Sequence, residues 1–120
     1  MANYARIVIS EVYISVSFDV GDDKVMAIGT RMNQMCGDAY MNGYNWDAFL
    51  CAYLSVNAPE ILDIIEPDPE ADMYSAYIDE VDEENKALAQ KFCGIIDDLF
   101  NNEDKIYEFL RENADYIEWE

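Results

Sequence analysis

The side chains in this chain that could do chemistry are three cysteines and a surplus of carboxylates. Cys36, Cys51 and Cys93 stand beside 26 Asp and Glu against 7 Lys and Arg, a formal net charge of -19, and there is no histidine. Without histidine, Ser-His-Asp and Cys-His nucleophile systems are excluded, as is any imidazole metal ligand. A cysteine nucleophile would need Lys, Arg or a helix N-terminus to stabilise its thiolate, and the acidic field opposes this. No pair of cysteines is spaced as C-x-x-C and their number is odd, which argues against a zinc site and against a disulfide framework. Cys51 and Cys93 fall inside helical patterns and read as small buried apolar groups. No glycine loop is built to cradle phosphate, since Gly37 and Gly43 are too far apart and lack the following Lys.

Carboxylates remain. Two of them can run acid–base hydrolysis, but among 26 acids any two come close by chance. The alternation Asp68-x-Glu70-x-Asp72 suggests cation binding. An EF-hand would need Gly at its sixth position and Glu at its twelfth, where this chain has Met73 and Asp79. A solvated acidic turn is the better reading. The expectation is therefore a protein with no catalytic residue, no metal and no cofactor, a binding protein in place of an enzyme.

The acids are uneven. Six of them and three bases lie in residues 1–59; twenty and four lie in 60–120. Such a field repels nucleic acid and anionic membrane surfaces and attracts basic proteins. An acidic skin also serves solubility alone. The densest run is Asp79, Glu80, Asp82, Glu83 and Glu84. Helix N-terminal chemistry accounts for two or three of these. The remainder, with Asp68, Glu70 and Asp72 upstream, makes a candidate docking surface for a basic partner. Tyr74 and Tyr77, on the adjoining strand, are candidate aromatic anchors provided that their side chains face out.

The elements that must position these groups follow from periodicity. With 120 residues and 52% hydrophobic content the chain is one domain, 1–120, with ample core. Residues 6–18 alternate, with Val12, Ile14, Val16 and Phe18 against Tyr13, Ser15 and Ser17, and are predicted as a strand with one face buried. After a turn at 19–23, residues 24–32 are predicted as its hairpin partner, and 33–45 as a loop. Trp46, Phe49, Leu50, Tyr53 and Leu54 make one helical stripe, with Asn45 as N-cap. Asn57-Ala58-Pro59 stops this helix and can start another turn; residues 61–66 are a short helix running into a strand, or a strand throughout; 67–72 is a proline-marked turn, and 73–78 a strand, so that 61–78 forms a second hairpin. Asp82 caps a helix carrying Leu88, Phe92, Ile95, Ile96, Leu99 and Phe100. Asn102 caps a last one carrying Ile106, Phe109 and Leu110. Ile117 and Trp119 are expected to dock the end piece. Strands followed by helices, without β-α-β alternation, give an α+β fold: an antiparallel sheet of about four strands with three main helices on one face.

MANYARIVIS lacks a basic region and a cleavage site, and no apolar run reaches the ~18 residues of a membrane span. A cytoplasmic setting is expected, with no contact to a membrane or to nucleic acid. A homodimer stays open.

Gly43-Tyr44-x-Trp46, the helix after it, Pro59-Glu60, and Asp68-x-Glu70 followed by Met73-Tyr74-Ser75-Ala76-Tyr77 resemble the immunity protein 51 family of bacterial polymorphic toxin systems. The resemblance implies a cytoplasmic α+β protein encoded beside a toxin, which binds the toxin and blocks it, and it carries no catalytic residues. Independently, the acidic surface suits an inhibitor of a basic enzyme such as a nuclease. The alternatives are a DNA-mimicking regulator of a nucleic-acid-binding protein and, further off, a small hydrolase.

Overall fold

The computed structural model describes residues 2–120. In chain order the elements are β1 (Arg6–Ile9), β2 (Ile14–Asp19), α1 (Asp23–Met35), α2 (Gly43–Asn57), α3 (Pro59–Leu62), β3 (Glu66–Pro67), β4 (Met73–Ile78), α4 (Glu83–Asn101) and α5 (Asp104–Asn113), followed by a 3-10 turn at Ala114–Tyr116. The strands form one antiparallel sheet in the order β1-β2-β4-β3. The α+β class and the four-stranded antiparallel sheet are as expected; the described residues form five helices, one of them the four-residue α3, where about three main ones are expected.

One face of the sheet makes the core. Ile14, Val16 and Phe18 on β2 and Tyr74, Ala76 and Ile78 on β4 are all buried, every second residue as strand geometry requires. α2 packs on β4, and α4 crosses β1 and β2. Phe18, Trp46 and Phe100 meet edge to face at the centre, with centroids 5.1 to 5.8 Å apart. Such pairs add about 0.5–1.5 kcal/mol each beyond the area they bury. The predicted stripe of α2 holds for Trp46, Phe49, Leu50 and Leu54, which are buried, while Tyr53 is half-buried. Asp82 caps α4 as predicted, accepting from the Asn85 N–H at 2.7 Å. The segment leading into β1 is held by Asp97 of α4, whose Oδ1 accepts from the N–H groups of Tyr4 and Ala5.

Four expectations are corrected. Residues 6–18 are not one strand: the Ser10 hydroxyl accepts from the N–H groups of Val12 and Tyr13 and turns the chain, so the first hairpin lies inside the stretch. Residues 24–32 belong to helix α1. Val25, Ile28, Gly29 and Met32 share its buried face, and Asp22 caps it by accepting from Lys24 and Val25. The N-cap of α2 is Asn42, three residues before Asn45. Asn45 is instead fully buried: its amide donates to the Tyr40 carbonyl at 2.7 Å and its oxygen accepts from the Glu120 N–H at 2.7 Å. Asn102 closes α4 and makes no side-chain cap to α5. The docked end piece is as expected, with Ile117 buried and Trp119 packed against the core.

The start of α2 sits directly on the acidic turn between β3 and β4. The Gly43 N–H donates to the Ala71 carbonyl at 3.0 Å, and a Cβ at Gly43 would overlap the carbonyl oxygens of Glu70 and Met73. Only glycine allows this approach.

Candidate functional site

The second face of the sheet carries short and polar side chains. Across it, Val8, Ser15, Tyr77 and Glu66 lie opposite one another on β1, β2, β4 and β3; Arg6, Ser17 and Ser75 form the next row. Val8 is half exposed, and Ser15, Ser17 and Tyr77 are half-buried, which is the state of a sheet face without a covering layer. Tyr77 is the large group here, and Tyr13 at the β1–β2 turn leans on it edge to face at 5.6 Å.

An open cleft of about 500 Å³ lies beside this pair, lined by Tyr13, Glu66, Pro67, Asp68, Tyr77 and Asp79. Each lining residue is placed by the backbone. Register puts Glu66 across from Tyr77. Asp68 is pinned by two bonds to Ser75: its N–H donates to the Ser75 carbonyl at 2.9 Å, and the Ser75 hydroxyl donates to its carbonyl at 2.6 Å. Asp79 follows the last residue of β4. Among the described residues, none of these three carboxylates forms an ion pair. At the far end of the same face Arg6 grips Asp19 with two bonds, 2.9 and 3.2 Å, which raises the guanidinium pKa and lowers that of the carboxyl.

The structure divides the sequence-predicted residues. Asp68, Tyr77 and Asp79 come together in the cleft. Glu70 and Asp72 are exposed at the tip of the β3–β4 turn, where their carbonyls bond Met73 and Val20. Glu80, Asp82, Glu83 and Glu84 are exposed at the start of α4. There Asp82 is spent on capping, the Glu80 carbonyl accepts from the Asn85 amide, and Glu83 pairs with Lys86 at 3.2 Å. Tyr74 is corrected: it points into the core, fully buried, stacked on Phe18 at 5.3 Å, and drops out of any docking surface. Tyr13 and Glu66 were missed, because only the strand register brings them to Tyr77.

A second, smaller cleft of about 310 Å³ runs between α2 and the end piece, past Tyr44, Asp47, Cys51, Tyr116, Glu118 and Glu120. Burial and the neighbouring Asp47 push the Cys51 thiol up to about 12, so at neutral pH it is protonated and a poor nucleophile. Burial also raises Asp47. Among the described residues, no group of three or more Cys, Asp or Glu side chains is arranged to hold a metal ion, and no helix is long and apolar enough to cross a membrane.

The class so defined is an acidic α+β domain with one sheet face uncovered and an aromatic pair set among unpaired carboxylates on it. The model of the family immunity protein 51 matches residues 6–115, and the chain belongs to that family. No curated protein and no solved structure matches it.

Proposed function

We propose that this protein is the antidote to a toxin encoded beside it, and that it neutralises the toxin by binding and covering a basic region, such as the nucleic-acid-binding surface of a nuclease. The observation that carries this reading is membership of an immunity-protein family over residues 6–115, in a chain of net charge -19. The partner must be cationic, because 26 acids repel every anionic surface, and charge complementarity of this kind speeds encounter and selects partners. The docking face in this reading includes the exposed acids Glu66, Asp68 and Asp79 about Tyr77 on the open face of the sheet, with the acids at the start of α4 adding to the field that draws the partner in. The protein acts in the cytoplasm by occupancy, with no catalytic step, cofactor or metal.

The test is co-expression. The toxin of the adjoining reading frame should stop growth when induced alone, and growth should return when this protein is present. Survival with an unrelated immunity protein of equal charge, or no rescue by this one, rejects the reading. A DNA-mimicking regulator would instead compete with nucleic acid for several unrelated basic proteins.

A further inference from the structure

The acidic run at the start of α4 has the most carboxylates, but the geometry points to a different spot as the centre of the interface. We infer that the notch on the open sheet face, floored by Tyr77 and Tyr13 and rimmed by Glu66, Asp68 and Asp79, receives an arginine side chain of the partner protein. This rests on the binding function proposed above.

Three features of the notch select a guanidinium. Its rim has three carboxylates and no basic residue, and none of the three forms an ion pair among the described residues. Its floor is an edge-to-face tyrosine pair with one ring half-buried on the sheet, a surface on which a planar cation stacks. Arginine alone among side chains combines a flat face for the ring with in-plane donors for several carboxylates. The chain uses both contacts internally: Arg31 lies 5.1 Å over the Tyr107 ring, and Arg6 makes a two-bond pair with Asp19 on this same face.

The cleft is open and takes one side chain reaching in from a broad surface, as a protein partner supplies. A nucleic acid is repelled by the rim. A second copy of this chain is poorly equipped: of its seven Lys and Arg, Arg6, Lys24, Lys86, Lys91 and Lys105 already hold ion pairs and Arg31 lies on Tyr107, which among the described residues leaves Arg111. The floor is also preset. Ser75 holds the Asp68 backbone, and strand register sets Tyr77 against Glu66, so little backbone ordering remains for the moment of binding.

The experiment compares two triple variants of equal charge change against the purified product of the adjoining toxin reading frame. One is Glu66→Gln/Asp68→Asn/Asp79→Asn in the notch; the other is Glu80→Gln/Glu83→Gln/Glu84→Gln at the start of α4. All six side chains are exposed, so both variants should fold, which circular dichroism checks. The notch variant should weaken binding about 30-fold or more and the α4 variant by about 3-fold or less. Tyr77→Ala should cost about 10-fold or more, while Tyr77→Phe, which keeps the ring face, should stay within about 3-fold of the unmodified protein. Equal losses in the two triples, or loss in the α4 triple alone, overturn the notch while leaving the antidote function standing. Failure of the unmodified protein to bind overturns both.

Discussion

Gly43→Ala should cost this protein a large part of its stability, although the same exchange within a helix ordinarily helps. Gly43 is the first residue of α2 and is buried. In an unconstrained helix, replacing glycine by alanine gains about 0.5–1 kcal/mol by restricting the unfolded chain. At Gly43 the new methyl would fall on the carbonyl oxygens of Glu70 and Met73. These are backbone atoms of the turn and strand and cannot swing aside as a flexible side chain can. Relief requires lifting the helix from the turn, which breaks the 3.0 Å bond from the Gly43 N–H to the Ala71 carbonyl. Loss of that bond costs about 0.5–1.5 kcal/mol. The repacking beneath adds about 1–3 kcal/mol. Set against the entropic gain, a net loss of about 0.5–4 kcal/mol follows, and its midpoint of ~2 kcal/mol lowers Tm by about 8 °C for a domain of this size. Gly94→Ala is the internal control: Gly94 lies on the exposed side of α4 with nothing near the added carbon, so Tm should rise by a few degrees. Thermal melts of the two variants side by side decide the matter. A Gly43→Ala protein that melts like the parent refutes the close packing of α2 on the acidic turn.

Asn45→Ala should cost about 1–3 kcal/mol in chemical denaturation, because the fully buried amide ties the Tyr40 carbonyl to the Glu120 N–H and the substitution removes both bonds. Tyr74→Phe should leave stability at pH 7 unchanged or raise it by about 1 kcal/mol, since the buried hydroxyl has no protein partner among the described residues. Burial holds the Tyr74 pKa well above 10, so the folded state keeps its proton where the unfolded chain loses it. Stability is therefore intact below pH 10 and falls as pH rises beyond it, and the phenylalanine variant should fall less steeply in alkaline melts. Cys51 and Cys93 are half-buried, not buried as the sequence suggests; with its thiol at about 12, Cys51 should still react with iodoacetamide at pH 8 about 10³-fold more slowly than an ordinary thiol, as peptide mass spectrometry would read, and labelling at the ordinary rate would contradict its placement beside Asp47.

Much of the scaffold is legible in the sequence where one pattern dominates. α4 carries a long helical stripe behind an Asp82 cap, and β4 is a short apolar run between a proline-marked turn and an acidic one, so both emerge at nearly their true bounds. α1 is ambiguous in the sequence because Met26, Ile28 and Met32 satisfy an alternating pattern while Val25, Ile28, Gly29 and Met32 satisfy a helical one. The structure chooses the second and leaves Met26 half exposed. The β1–β2 turn carries neither glycine nor proline at residues 10–13; a serine hydroxyl does their work, and turn chemistry read from residue type passes over it. At the candidate site, the acidic stretch and Tyr77 are the part that can be proposed from sequence. It also contained the means to reject Tyr74, because two strand residues three apart face opposite sides and cannot both be surface anchors. Tyr13 and Glu66 could not be found this way, since their approach to Tyr77 depends on which strands are neighbours and in which register.

The central claim, that an acidic surface captures one basic toxin, is tested most directly by titrating the purified protein into the product of the adjoining toxin reading frame at rising salt. The account predicts a one-to-one complex that abolishes the toxin's activity, with an association rate that falls steeply as ionic strength screens the attraction. A toxin that stays active at saturating antidote, or an association rate indifferent to salt, would contradict it.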